Sequence, residues 1–502
     1  MNIGLFSVGL DTYWAQFTGL RDRLNGYHSE IHGWLAAMGT NITDAGMVDT
    51  VPKARAAASA FRQGEVDLIV LFVSTYALSS TVLPVVQKAK VPVLILNLQP
   101  VPQLDYAKFN ALGDRGLMTG VWLEHCQACA VPELVCVFKR AGIPHHVVTG
   151  YLREDAAWRE IGDWIDAARV AEAMRNNRVG VLGHYYGGML DVYSDLTQQS
   201  AAFGNHFEIV EMCDLFVRRE AVTEAEVAAK IVEFHQAFEV SAECEASEIE
   251  RAARSSVALD RLVADKNLGS LAYYYEGAAE YENIVTSIIA GNTLLTGRNV
   301  PVAGECEIKN VQAMKIMDLF GAGGSFSEFY LTDFVDDVVY LGHDGPAHFA
   351  IAEGRVGLVP LAVYHGKPGK GLSIQMTVKH GPVTLLSVVQ GADGSVSLQV
   401  AEGESVPGPV LRIGNTNSRY RFPISAKSFL NEWSAGGPSH HCAIGTGHIA
   451  DKITKLGALL GLPVRRVCCM PKPAPESPRQ TDSNLIFITH HLAESQPQPA
   501  FS

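Results

Sequence analysis

The residues of this sequence best suited to chemistry fall in one block and one short outlier. Glu305, Glu328, His343 and His348 stand between positions 302 and 348, and His440, His441 and His448 follow about a hundred residues later. Glu305 comes after Ala303-Gly304, and Glu328 comes after Gly321-Ala322-Gly323-Gly324-Ser325. Glycines let backbone and side chain approach a ligand closely. Residues 311–319 between the two acids read as a helix. Rising ~1.5 Å per residue, it would carry the chain out, and a return loop would bring it back. Both carboxylates could thus converge on one point. Carboxylates with imidazoles make a hard-to-borderline site for Mn²⁺, Mg²⁺, Co²⁺ or Fe²⁺. Structural zinc would more often use cysteine. By residue type alone, the same acids also read as surface carboxylates and the same histidines as capping or loop residues.

The elements that must position these groups are legible as patterns. Residues 66–73 (VDLIVLFV) and 91–96 (VPVLIL) are continuous apolar runs of strand length, as expected of strands buried on both faces. Residues 2–7 open the chain as a short β-rich run, and helical signals fall at 21–38 and 80–88. This alternation predicts a parallel, doubly wound sheet. Ligands in such sheets sit beyond the carboxyl ends of strands. The loops at 9–13, 74–76 and 97–99 are therefore candidate site loops. None carries a GxGxxG or P-loop pattern, which argues against dinucleotide and nucleoside triphosphate sites of those kinds.

A second α/β region starts at Arg178, with a strand at 179–183 ending in the turn HYYGGML. Residues 222–264 read as mostly helix, and 268–272 as a strand ending at Tyr273-Tyr274-Tyr275-Glu276. From about residue 356 the pattern changes. Short strand-like runs at 356–364, 372–378, 383–390, 395–400 and 409–413, punctuated by Gly, Pro, Asp and Asn, predict an antiparallel unit or barrel. Helix returns at 447–460, and VRRVCCM reads as a last strand. Residues 471–502 are rich in Pro, Ser and Gln and read as a flexible tail.

Composition narrows the function classes. The formal charge is −13, which argues against a nucleic-acid binder and, less strongly, against an anionic membrane as partner. The first residues lack a basic segment followed by a long apolar one, so no signal peptide is expected. Nine cysteines, an odd and sparse set, predict free thiols in a cytoplasmic protein. Cys126 and Cys129 form a single CxxC, read as two buried thiols on a helix rather than a zinc or redox pair.

The block around Glu305 also carries a resemblance. Gly304-Glu305-Cys306-Glu307-Ile308-Lys309 followed by Ala313-Met314-Lys315-Ile316-Met317 matches AEGDWK and RIMKVM motifs. Gly323-Gly324-Ser325-Phe326-Ser327-Glu328-Phe329-Tyr330 matches GGTSFMEDY, and Leu341-Gly342-His343-Asp344 matches LGSHM. Gly436-Gly437-Pro438-Ser439-His440-His441 matches GGAHH. Counting AEGDWK and RIMKVM as one, the four motifs keep their order. On these residues the chain resembles the L-arabinose isomerase family and, more distantly, L-fucose isomerase.

The resemblance implies an α/β fold of two doubly wound, Rossmann-like domains (1–177 and 178–322), followed by a C-terminal domain with an antiparallel β-barrel (323–470). It implies a metal-dependent aldose–ketose isomerase, usually with Mn²⁺, working through a cis-enediol. Carried over, the metal ligands would be Glu305, Glu328, His343 and His441, with Glu305 and Glu328 also the catalytic pair. The sequence reads Gly-His-Asp where the family has Gly-Ser-His, so His348 is an alternative to His343. His440 would contact the sugar. Asp11 stands where the family has a Gln that reaches toward the sugar, often in a neighbouring subunit's site. A two-way amide is thereby exchanged for an acceptor-only carboxylate, which points away from L-arabinose itself. Tyr13 and His184 are further candidate substrate contacts. The implied substrate is a pentose or deoxyhexose-type sugar, and the implied assembly a homo-hexamer or homo-tetramer. Epimerisation of a modified or branched sugar at the same metal site, and a non-catalytic sugar-binding role, are the alternatives.

Overall fold

The computed structural model describes residues 1–361 and 371–469, so the tail at 471–502 lies outside the described residues. The first sheet is parallel: β1 (Asn2–Val8), β2 (Asn41–Val48), β3 (Leu68–Val73), β4 (Val93–Gln99) and β5 (His145–Tyr151), in the order β2-β1-β3-β4-β5. All six residues of β3 are buried, which is why that stretch is apolar without alternation. The order reverses between β1 and β3, so the loops after these strands face the crevice where such sheets bind ligands.

The next strands are β6 (Arg178–Gly183), β7 (His206–Val210), the two-residue β8 (Glu239–Val240), β9 (Ser270–Tyr274) and β10 (Val302–Ala303). Four of them form a second parallel sheet, β10-β9-β6-β7. The stretch expected to be mostly helix is two helices, Glu224–Ala237 and Ala246–Lys266, with β8 between them.

A closed six-stranded antiparallel barrel follows, in the order β15-β18-β11-β12-β17-β16 and back to β15. Its strands are β11 (Gly323–Asp333), β12 (Val338–His343), β15 (Gly381–Gln390), β16 (Val396–Ser405), β17 (Thr416–Arg421) and β18 (His441–Thr446). A final strand, β19 (Val464–Cys468), runs parallel to β16. β13 (Gly357–Leu361) and β14 (Gly371–Gln375) do not join the barrel but pair in a three-stranded sheet with β8.

Three expectations need correction. Antiparallel structure begins at β11 rather than near residue 356. Residues 409–413 are not a strand: Pro407, Gly408 and Pro409 interrupt the ladder, and Asn417 closes the loop by bonding both the N–H and the C=O of Leu411. Cys126 is buried but Cys129 is exposed, so the CxxC is not a pair of buried thiols.

One helix joins the two halves. Ile308–Leu319 is buried along its first ten residues and packs against β11, β15 and β18 on one side and near β9 and β10 on the other. It has no solvent face along this stretch, although it carries the buried polar residues Lys309, Asn310, Gln312 and Lys315. Its core is continuous, running from Val179 and Tyr274 of the parallel sheet through Met314 to Phe326 and Ala443 of the barrel. The helix also forces glycine at Gly324, whose φ is +115° and where a Cβ would lie 2.8 Å from the Met314 carbonyl oxygen.

Candidate metal centre and active-site cavity

Glu305 sits just past β10, at the carboxyl end of the second parallel sheet, in line with the ligand-site rule for such sheets. Glu305 and Cys306 both occupy the left-handed region, at φ 55° and 54°. Non-glycine residues held there cost of order 1–3 kcal/mol each and persist only where surroundings impose them. Here the Cys306 N–H donates to Tyr273 O (2.9 Å), and the Glu307 N–H donates to Gly304 O (3.0 Å). Cys306 itself is fully buried.

The other side chains come from three adjacent barrel strands. Glu328 of β11 is paired with His441 of β18 on one side and with Gly342 of β12, next to His343, on the other. Gly342 has no room for a side chain, since a Cβ would stand 2.0 Å from Thr416 O. Glu305 Oε2 lies 3.4 Å from His441 Nε2, and Glu305 Oε1 lies 3.9 Å from His343 Nε2. His440 Nε2 is 3.6 Å from Glu305 Oε2 and 3.9 Å from Glu328 Oε2. Two overlapping triads result, Glu305–His343–His441 and Glu328–His440–His441, each with its donor atoms within 4.8 Å of one another.

These residues could hold a divalent cation. Glu305 Oε2 and His441 Nε2 are both buried, and neither makes a hydrogen bond. They face each other across 3.4 Å, and a cation bound between them would satisfy both. The donors are oxygen and imidazole nitrogen, the set preferred by Mn²⁺, Co²⁺ or Mg²⁺ over thiophilic metals.

A further layer aims the histidines. Glu307 is fully buried, and its Oε2 lies 3.5 Å from His441 Nδ1. A carboxylate on the far nitrogen fixes the ring and leaves Nε2 for the ligand. Glu307 Oε1 accepts from Ser439 Oγ (3.3 Å) and pairs with Lys309 Nζ (3.2 Å). Phe326, also buried, stands against both imidazole rings, with centroids 4.5 Å from His343 and 4.3 Å from His441. His440 is gripped by Asp191, whose Oδ2 is 2.6 Å from the ring Nδ1 and 3.0 Å from the backbone nitrogen. The nearby Glu305 carboxylate pushes His440 up to about 9, against burial and with help from Asp191. Burial works to raise Asp191, but its bonds to His440 outweigh this and hold the carboxyl below its ordinary value.

The cluster opens into a cavity of about 680 Å³. Glu305, Glu328, His343, His440 and Asn415 form its polar end, and Tyr186, Met189, Phe329, Leu411 and Ile413 contribute an apolar wall. The volume lies within the roughly 300–1,000 Å³ of small-molecule pockets.

Of the histidines named from sequence, the structure brings His343, His440 and His441 together and leaves three apart. His348 accepts the Ala350 N–H at Nδ1 (3.2 Å) and faces Asp318 with Nε2 (3.4 Å), so it caps a short 3₁₀ turn. His448 Nε2 faces Gly403 O at 3.0 Å. His184 does not line the cavity: its nitrogens face the carbonyls of Tyr185 and Glu276, and its ring stands edge-on to Tyr274. Asp11 and Tyr13 follow β1 and do not line the cavity either. Tyr13 packs on Phe17 beside a small cluster of Leu20, Leu24, Met47 and Leu123. The sequence reading missed Asp191, Glu307 and Phe326 as functional. Glu307 and Phe326 lie inside the quoted motifs, two residues from a ligand. Asp191 has no local signal, because its partner lies 249 positions away.

No family model matches the chain. It is similar to an L-arabinose isomerase of Acidothermus cellulolyticus, with 22% identity over 351 residues, spanning 66% of this chain and 68% of that protein.

Proposed function

We propose that the protein is a divalent-metal-dependent aldose–ketose isomerase acting on a pentose or deoxyhexose-type sugar through a cis-enediol. The observation that carries this reading is the pair of overlapping triads, Glu305–His343–His441 and Glu328–His440–His441, beside a cavity that Glu305, Glu328, His343 and His440 line. The similarity to an L-arabinose isomerase supports it. Glu305, Glu328, His343 and His441 would hold the metal, with Mn²⁺ the first choice for this donor set. When bound, the metal supplies Lewis acidity toward the neighbouring oxygens of a hydroxy-carbonyl compound.

The chain's own residues do the rest. The proton on C2 of an aldose is weakly acidic because it neighbours a carbonyl. A carboxylate oxygen of one glutamate takes that proton and later returns it to C1. The second glutamate passes the hydroxyl proton from O2 to O1, so the ketose leaves with the atoms of the aldose. Glu307 keeps His441 turned toward Glu305. His440 presents Nε2 to the sugar, and the apolar wall limits water around the reacting carbons.

The proposed assembly is a homo-oligomer, which suits the exposed side chains of Leu117 and Trp122. Asp11 and Tyr13 would then act, if at all, in a second copy's site. The test is conversion of a panel of aldoses by protein stripped with chelator and reloaded with Mn²⁺. Ketose formation that disappears with the metal and returns with it is expected. Tight sugar binding without conversion, unchanged in Glu328→Gln, would instead favour a binding protein.

A further inference from the structure

Asp191 belongs to the loop after β6, in a different part of the fold from the histidine pair, yet it touches both halves of the ligand support. Its Oδ2 receives the His440 backbone N–H (3.0 Å) and sits 2.6 Å from His440 Nδ1. Its carbonyl oxygen accepts from Lys309 Nζ (2.6 Å). Lys309 Nζ in turn stands 3.2 Å from Glu307 Oε1, and Glu307 Oε2 is 3.5 Å from His441 Nδ1. Two adjacent histidines are thus referred back to one loop residue, one through its side chain and the other through its main chain.

A part-exposed ion pair of this kind adds little to the stability of the fold. Its geometric effect is larger. A ring held at its own backbone nitrogen and at Nδ1 by the same oxygen has one orientation, and here that orientation sends Nε2 toward both Glu305 and Glu328. The same loop carries Tyr186 and Met189 of the cavity wall. Orientation of His440 and shape of the wall are therefore linked through one residue.

We propose that Asp191 is a positioning residue, which aims His440 Nε2 at the reacting hydroxyls of the substrate and ties that aim to the wall loop. This rests on the isomerase reading. It assigns Asp191 no contact with metal or with the carbon being deprotonated.

The test compares Asp191→Asn, Asp191→Glu and wild-type holoprotein by three readouts: kcat and KM on the best aldose, Mn²⁺ affinity by calorimetry, and histidine ¹⁵N signals of the protein loaded with diamagnetic Mg²⁺. Asp191→Asn is expected to lose about 10–100-fold in kcat, the usual scale for an outer-layer partner. KM should change far less, Mn²⁺ affinity should hold, and the His440 nitrogen signals should shift. Asp191→Glu, which can still reach Nδ1, should recover part of kcat. If wild type turns over and Asp191→Asn matches it, or loses Mn²⁺ affinity in proportion to kcat, the positioning role is wrong while the isomerase reading stands. If wild-type protein with Mn²⁺ bound converts no sugar, the isomerase reading fails and the positioning role falls with it.

Discussion

Glu328 and His441 are direct partners across the β11–β18 ladder, so the barrel's register alone places a carboxylate and an imidazole on the same face. Gly342 is the partner of Glu328 on the opposite side, and it puts His343 one residue from the same row. The register thus accounts for Glu328 and His441, whereas His343, at the end of β12, is one residue off that row and is not placed by it. Glu305 arrives separately, from the strained turn after β10. Moving the register of β11 by one residue would turn Glu328 to the other face and dismantle the site.

The two candidate third ligands can be told apart by substitution. His343→Ala is expected to abolish tight Mn²⁺ binding, because His343 faces Glu305 across 3.9 Å. His348→Ala should leave Mn²⁺ affinity unchanged, since His348 is occupied with Asp318 and the Ala350 N–H. Calorimetric titration of both variants checks this, and the opposite pattern would reverse the assignment.

Removing the support under a ligand should weaken the metal without removing it. Glu307→Gln keeps the volume but replaces the carboxylate facing His441 Nδ1. An Mn²⁺ affinity lower by about 10–100-fold is expected. Unchanged affinity would mean that Phe326 and the backbone suffice to hold the ring.

Phe326 is 1% exposed and lies against both ligand rings. Phe326→Ala should destabilise the protein by about 3–5 kcal/mol. Metal affinity should fall in the fraction that remains folded, because His343 and His441 gain rotamer freedom. Denaturant unfolding with and without Mn²⁺ separates the two effects.

Gly324→Ala should destabilise by more than about 1 kcal/mol, since the new side chain meets both a disallowed φ and the Met314 carbonyl. Unfolding midpoints of this variant and wild type check it. Gly321→Ala is a control for φ alone, because no atom lies within 4 Å of that position.

Acid stability carries a signature far from the site. Burial lowers His146 from 6.5 to about 4, with His145 and Lys455 adding to the effect, and its ring stacks on Trp164 at 4.0 Å. Between those values the unfolded chain takes up a proton that the folded chain refuses. Stability is therefore expected to fall as pH drops from 6.5 toward 4, and His146→Gln should flatten that slope. Unfolding midpoints measured across the window test the sign.

How much of this was legible beforehand varied with the physics of each segment. Strands buried on both faces, such as Leu68–Val73, announce themselves as unbroken apolar runs. β11 does not, because its glycine-rich start reads as a turn and its bulge near Tyr330 breaks the alternation. Residues 409–413 are apolar for another reason: Leu411 and Ile413 line the cavity instead of a ladder. Residues 311–319 were readable as a helix, but the helix's start at Ile308 and its lack of any solvent face, and hence its place as the hub, were not. The two glutamates and the His440-His441 pair stood out by type and motif. The choice of His343 over His348 needed the fold, since both lie within a few residues and only strand geometry separates them. Asp191 needed it entirely.

The most direct measurement is proton NMR of Mn²⁺-loaded protein with a panel of pentoses and deoxyhexoses in D₂O. The account predicts that one aldose loses its H2 signal as a ketose appears, that chelation stops both changes, and that Glu328→Gln slows them by about 10²–10⁴-fold. Bound Mn²⁺ with neither exchange at C2 nor ketose formation on any sugar would contradict it.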